Sequence, residues 1–241
     1  MRKILSITVL CLLVSTLTAG ELKPLNVYLV GDMPMAGLED DTLTAGWGRF
    51  LVENFVEQVT VSDFSREQLS TKALLNNDWA GIKNELQKKS VIIISFGNTD
   101  MSLDENNHSD IVEFQNNLKQ LAKEAKKKGC TPIFVTPVAH RYNSRETNEL
   151  LNRFGAYTDA LRHVAQGNGY TLVDLNALTT EIFKDGSLAT EFFAEYEIKV
   201  GAPIEELPIT RLSVEGAQKV AKIVADNLKE QKVKSVKNYI K

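Results

Sequence analysis

The feature that most constrains this chain is a repeated alternation of short apolar runs with longer amphipathic stretches. The strongest run, residues 90–95, reads Ser-Val-Ile-Ile-Ile-Ser, and consecutive β-branched residues are typical of a strand that is covered on both faces. Four further runs have strand character: residues 26–30, 58–61, 132–136 and 171–173. Strands that alternate with helices predict a parallel sheet with helices on both sides.

Three amphipathic patterns predict the longer helices, at residues 110–128, 147–166 and 213–229. Their apolar residues recur every three or four positions, which places them on one helix face. Gly129 follows the first pattern where a C-capping glycine belongs, and Ser213 begins the last pattern as an N-cap. In parallel sheets the ligand site lies beyond the carboxyl ends of the strands, so functional residues are expected just after each strand.

The first twenty residues have the pattern of a secretory signal peptide. Arg2 and Lys3 precede an apolar run at residues 4–17, and small residues follow up to Gly20. The run is shorter than the about 20 apolar residues that a membrane span needs, although an uncleaved anchor is the alternative. We therefore expect a signal peptide at residues 1–20, a single domain at residues 21–241, no integral membrane segment after cleavage, and a secreted or periplasmic location.

Charge and cysteine content limit the classes of partner and cofactor that we expect. The formal net charge of −3 becomes −5 when the two positive charges of the signal peptide leave, so no nucleic-acid partner is expected. Cleavage also removes Cys11 and leaves Cys130, which is expected to be a small core residue and not part of a disulfide. No His, Cys and Asp cluster has metal-ligand spacing, so neither a metal nor another cofactor is expected.

The end of the chain is rich in lysine. Residues 229–241 contain five lysines and one glutamate. This composition is typical of a solvated helix end and tail. Contact with an acidic polymer or a membrane surface is the alternative.

Five segments near the predicted strand ends form an ordered pattern along nearly the whole mature chain. They are Val-Tyr-Leu-Val-Gly-Asp-Met-Pro-Met-Ala at 27–36 with Gly-Trp-Gly at 46–48, Ile-Ser-Phe-Gly-Asn-Thr-Asp at 94–100, Val-Thr-Pro-Val-Ala-His-Arg at 135–141, Val-Asp-Leu-Asn-Ala-Leu at 173–178, and Leu-Ser-Val-Glu-Gly-Ala at 212–217. This pattern resembles the SGNH (GDSL-type) hydrolases, and most of all their rhamnogalacturonan acetylesterase branch. The resemblance implies an α/β fold, a three-layer α/β/α sandwich with a parallel, flavodoxin-like five-stranded sheet.

The resemblance also implies an esterase site that this chain does not retain. Esterases of this kind need a serine nucleophile, a histidine base oriented by an aspartate, and a glycine and an asparagine that help to bind the oxyanion. The residues at the matching positions are Met33 for the serine, Gln68 near the glycine, Thr99 for the asparagine, Pro208 for the aspartate and Arg211 for the histidine. A thioether has no proton to lose and arginine stays protonated, so we predict that none of these residues is catalytic.

The leading hypothesis is therefore a secreted, catalytically inactive relative of carbohydrate acetylesterases that binds a glycan or a protein partner in the retained cleft. A plant-type polysaccharide is the expected glycan. The predicted binding residues are Asp32, Met33, Trp47, Asn98, Thr99, His140 and Arg211. Trp47 could stack on a sugar or could pack the first helix against the sheet. Arg211 could bind a uronate carboxylate or could pair with Glu205 or Glu206.

Two other hypotheses stay open. The first is an active esterase or other hydrolase with a rewired site, for which His140 is the candidate base and Glu205 with Glu206 are candidate acids for glycoside hydrolysis. The second is a purely structural or interaction domain that uses its basic end or a helical face.

Overall fold

The computed structural model describes residues 22–37, 43–139, 155–184, 191–194 and 211–241. The predicted signal peptide, His140, Glu205, Glu206 and Pro208 lie outside these residues.

Five strands form one parallel sheet, and each begins within one residue of its predicted run. The strands are β1 (Leu25–Gly31), β2 (Val59–Asp63), β3 (Val91–Ser95), β4 (Thr131–Val135) and β5 (Thr171–Val173). Their order across the sheet is β2-β1-β3-β4-β5, and every neighbouring pair is parallel. The flavodoxin-like order predicted from the resemblance is confirmed.

Seven helices are described around this sheet. They are α1 (Gly48–Leu51), α2 (Thr71–Ala73), α3 (Trp79–Glu85), α4 (Ile111–Lys128), α5 (Gly155–Gly167), α6 (Leu175–Phe183) and α7 (Val214–Glu230). A π-helical segment, Leu74–Asp78, joins α2 to α3, and 3₁₀ segments lie at Val52–Asn54 and Lys237–Tyr239.

The predicted helix caps are present. Gly129 ends α4 with φ at 87°, in the left-handed region that glycine adopts without steric cost. The Ser213 hydroxyl begins α7 by accepting a hydrogen bond from the Gly216 N–H at 2.9 Å. These residues fix where the two longest helices stop and start. Of the middle predicted helix, only the part from Gly155 onward lies in the described residues.

Alternate residues of the strands bury against two separate cores. Val27 and Leu29 of β1 lie in the core that α1, α6 and α7 cover, whereas Tyr28 and Val30 lie in the core that α3, α4 and α5 cover. All five residues of β3 are buried, as the run of β-branched residues predicts. The described residues therefore form the expected three-layer sandwich.

The lysine-rich end differs from the predicted solvated tail. Val236 and Ile240 are buried in the first core, and Ile240 forms a β-bridge with Phe55. The Lys241 N–H donates to the Asn54 carbonyl oxygen at 3.0 Å. Apolar residues spaced between the lysines supply this docking, which a count of charges does not reveal. Cys130 is also buried, as expected.

Candidate functional site

The loops that follow β1 and β3 meet at the carboxyl edge of the sheet. The Asp32 N–H donates to the Ser95 carbonyl oxygen at 3.1 Å, just beyond the last residues of the two strands. A Cβ atom on Gly31 would lie 2.4 Å from the same oxygen, so only glycine permits this approach. The sequence pattern that ends β1 therefore sets the loop after β1 directly against the loop after β3.

The Asp32 side chain links the loop after β1 to the loop after β3. Its side chain is buried, and Oδ2 accepts hydrogen bonds from the Thr99 N–H at 2.7 Å and the Gly97 N–H at 3.3 Å. Burial raises the pKa of Asp32 well above its ordinary value, and the two N–H groups oppose that rise. Asp32 was predicted as a binding residue, but its buried and bonded carboxyl acts in the structure as a positioning group for the loop after β3.

A second buried carboxyl, Asp100, anchors the far end of that loop. It accepts hydrogen bonds from the Thr71 N–H at 3.1 Å and from the Thr71 hydroxyl, and the Asn117 amide donates in turn to that hydroxyl at 3.1 Å. Burial raises the pKa of Asp100 to about 6, while the Thr71 hydroxyl and N–H act in the opposite direction. The start of α2 is thereby tied to the loop that carries Asn98 and Thr99.

Met33 and Arg211 line one small pocket. Pro34, Thr44 and Leu212 are also in the wall, and the free volume is about 10 Å³, room for at most one water molecule. The structure therefore brings together the two residues that occupy the nucleophile and base positions implied by the resemblance. One supplies a thioether and the other a guanidinium.

Glu67 is a residue of this site that the sequence analysis missed. Its carboxylate lies 3.1 Å from Nη2 of Arg211, and both side chains are about three-quarters buried. The Glu67 carbonyl oxygen also accepts a hydrogen bond from the Thr99 hydroxyl at 3.2 Å. Glu67 therefore links the segment after β2 to the β3 loop and to Arg211. Of the alternatives for Arg211, an ion pair is present, with Glu67 as its partner among the described residues.

Trp47 is not part of the pocket wall. The side chain is 0% exposed and packs in the core covered by α1, α6 and α7. Its backbone N–H donates to the Pro34 carbonyl oxygen at 3.2 Å, while its buried indole Nε1 has no hydrogen-bond partner among the described residues. The packing alternative accounts for this position. A buried ring cannot stack on a sugar, so a binding role for Trp47 does not agree with the structure.

The remaining polar candidates differ in access. Thr99 is buried and already bonded to Glu67, whereas Asn98 is partly exposed and its side-chain amide forms no hydrogen bond with the described residues. His108 and His163 are exposed, and each ring lies within hydrogen-bond distance of a backbone carbonyl oxygen, those of Ser102 and Asp159. Neither histidine lines the pocket that Met33 and Arg211 share.

Within the part of the chain that the structure describes, no three His, Cys, Asp or Glu side chains are grouped so that they could hold a metal ion. None of the helices in that part combines the length and apolar character that a membrane crossing requires.

Comparison with known sequences gives two relatives of similar length. The chain is 26% identical over 208 residues to the probable rhamnogalacturonan acetylesterase YesY of Bacillus subtilis, which covers 85% of this chain and 93% of that protein. It is 27% identical over 216 residues to the rhamnogalacturonan acetylesterase RhgT of the same organism, covering 86% and 91% of the two chains. No family model matches the chain.

Comparison with solved structures gives the same fold. The acetylxylan esterase Axe2 of Geobacillus stearothermophilus superposes with a TM-score of 0.65 at 14% identity, covering 86% of this chain and 94% of that one. The Bacillus subtilis protein YxiM superposes with a TM-score of 0.72 at 18% identity and covers 88% of this chain, which spans 58% of YxiM. A lipase/acylhydrolase of Enterococcus faecalis gives a TM-score of 0.58 at 19% identity, with coverages of 86% and 96%.

Proposed function

We propose that this chain, a member of the SGNH hydrolase superfamily similar to its rhamnogalacturonan acetylesterase branch, is a secreted carbohydrate-binding protein that does not hydrolyse acetyl esters. The observation that carries the proposal is the pocket shared by Met33 and Arg211. The ester chemistry of this superfamily needs a nucleophile and a base at those two positions.

The residues at the nucleophile and base positions cannot carry out the proton transfer that ester hydrolysis requires. Attack on an ester carbonyl requires a group that loses a proton to a neighbouring base, and the Met33 thioether carries no such proton. Arg211 keeps its charge and is held by the Glu67 carboxylate, so it cannot accept a proton. Thr99 replaces an amide donor and uses its hydroxyl on Glu67. Each change removes a different part of acyl transfer.

The ligand that we propose is an acidic, pectin-type polysaccharide. The two Bacillus subtilis relatives are named for rhamnogalacturonan. A uronate carboxylate matches the planar guanidinium of Arg211 and would compete with Glu67 for it. The Asn98 amide, which is partly exposed beside Thr99, can donate to a sugar hydroxyl. Secretion is part of the proposal because of the signal-like pattern at residues 1–20.

The competition between Glu67 and a ligand gives a test with opposite outcomes for two variants. Glu67→Gln removes the competing charge and should tighten the binding of galacturonic acid, a single uronate, several-fold, whereas Arg211→Gln should abolish it. Isothermal titration calorimetry measures both affinities. Weaker binding by Glu67→Gln, or unchanged binding by Arg211→Gln, would place the ligand elsewhere.

Catalysis is tested on acetylated rhamnogalacturonan and acetylated xylan. The wild-type protein and Met33→Ser should both release no acetate, because a serine without a base is not activated. Acetate release that disappears in Arg211→Ala would refute the proposal and support an active, rewired hydrolase. Release that persists in every cleft variant would be traced to a contaminating esterase.

A further inference from the structure

Lysines concentrate at the edge of the sheet opposite the cleft, where the parallel strands begin. Three segments form this edge, which we call the lysine edge: residues 87–90 before β3, residues 126–131 before β4, and residues 229–241 after α7. They contain two, three and five lysines and a single acidic residue, Glu230, in a chain whose formal net charge is −3. None of these lysines is in an ion pair with an Asp or Glu side chain of the described residues, although Lys229 and Lys241 each donate to a backbone oxygen, those of Lys241 and Glu53, at 2.7 Å.

The first two segments are in direct contact. The Lys89 N–H donates to the Gly129 carbonyl oxygen at 2.9 Å, and the backbone of Lys88 lies against Gly129. Lys126 then places its ammonium 5.8 Å from the centre of the Tyr170 ring, just before β5. Positive charge therefore extends from the start of β3 past the start of β4 toward β5.

A groove joins this charge to the third segment. Its walls are Thr131, Thr171, Gln231, Val233, Lys234 and Ser235, and its volume is about 490 Å³. The Gln231 amide donates to the Leu172 carbonyl oxygen at 2.9 Å, which fixes this segment against β5. Thr131 and Thr171 are only partly buried in this groove.

Two lysines of the lysine edge adopt a backbone conformation that is unfavourable for a residue with a side chain. Lys89 and Lys232 have φ of 64° and 54°, and they are the only non-glycine residues with positive φ in the described chain. Glycine adopts this conformation freely, whereas residues with a side chain are disfavoured in it. Both residues are exposed, so burial of the side chain does not compensate for that cost.

We propose that the lysine edge is a second binding site, for the chain of an acidic polysaccharide. Separated lysines suit carboxylates that recur along a polymer, and the threonine hydroxyls of the groove suit sugar hydroxyls. This site is independent of the cleft and of its proposed function. An anionic membrane fits less well, because membrane-binding surfaces set large apolar side chains beside the lysines. The exposed large apolar residues of the described chain are Leu43, Val52, Leu103, Val112 and Val214, and none belongs to the three segments.

The test uses polygalacturonate as the probe and an Arg211→Gln background, so that the cleft does not contribute. The variant Lys89→Gly/Lys232→Gly removes two charges where glycine relieves the backbone, so its melting temperature should be unchanged or higher. Its affinity for polygalacturonate should be about tenfold weaker. The control, Lys119→Gln/Lys222→Gln, removes two exposed charges from the middle of α4 and α7 and should change affinity less than about twofold.

A second variant tests the groove itself. Thr171→Val replaces a hydroxyl of the groove by an apolar group of the same shape, so it should leave the melting temperature nearly unchanged and weaken polygalacturonate binding several-fold. Unchanged affinity in Lys89→Gly/Lys232→Gly, or an equal loss in the control, would overturn the proposal. Binding to phosphatidylserine vesicles that matches the binding to polygalacturonate and falls in the same variant would assign the edge to a membrane and overturn it as well.

Discussion

Ionisation of Asp100 should weaken the fold as the pH rises. The carboxyl is buried beneath the β3 loop, and burial raises its pKa from 3.8 to about 6. A group whose pKa is higher in the folded than in the unfolded protein contributes stability that is complete below the unfolded value and is lost as the pH passes the folded value. The difference between the two pKa values corresponds to about 3 kcal/mol of unfolding free energy. This loss should occur between about pH 4 and pH 6.

Urea unfolding of the wild-type protein and Asp100→Asn across that range measures the effect, because the amide cannot ionise. The free energy of unfolding of the wild type should fall by about 3 kcal/mol relative to the variant as the pH rises to about 7. Asp226→Asn, at an exposed carboxyl of α7, is the control and should run parallel to the wild type. A difference between wild type and Asp100→Asn that does not change with pH would refute the reasoning. It would mean that the Thr71 hydrogen bonds fully compensate for burial.

Two further predictions concern the groups that hold the cleft. Asp32→Ala should lower the free energy of unfolding by about 3 kcal/mol, because the N–H groups of Gly97 and Thr99 lose their acceptor. Asp32→Asn keeps an acceptor oxygen and should lower it by less than about 1 kcal/mol. Urea unfolding compares the two variants, and equal losses would contradict this reasoning. A double-mutant cycle with Glu67→Gln and Arg211→Gln should give a coupling free energy of about 1 kcal/mol, because this ion pair is neither fully buried nor fully exposed. A coupling free energy near zero would show that the ion pair does not stabilise the cleft.

The sequence predicted the sheet well because its strands are buried on both faces. The unbroken run of β-branched residues predicts the position of β3, and the capping residues predict the ends of α4 and α7 to within one residue. The shorter helices α1, α2, α3 and α6 were not predicted, since none exceeds nine residues and such segments hold too few turns for a clear period. The docking of Ile240 was also missed, because isolated apolar residues among lysines carry no periodic signal.

The site could be predicted only as far as the motif blocks extend. Their order placed Met33 and Arg211 at the same edge, and the structure sets them in one pocket. Glu67 could not be found in this way, because its pair with Arg211 joins residues 144 positions apart and no motif includes it. The sequence also does not predict whether the Trp47 ring is buried, since an aromatic residue beside a cleft can face the core or the solvent.

The placement of the two tryptophans gives the protein an optical property. Trp47 lies in the core on one face of the sheet, and Trp79, whose indole donates to Glu124 at 3.0 Å, lies in the core on the other face. Each packed layer therefore contains one natural fluorophore. Trp79→Phe leaves an emitter that reports on the layer with α7, and Trp47→Phe leaves one that reports on the layer with α4. Tryptophan fluorescence of the two variants can therefore show, without an added label, whether the two layers unfold in one transition or in two.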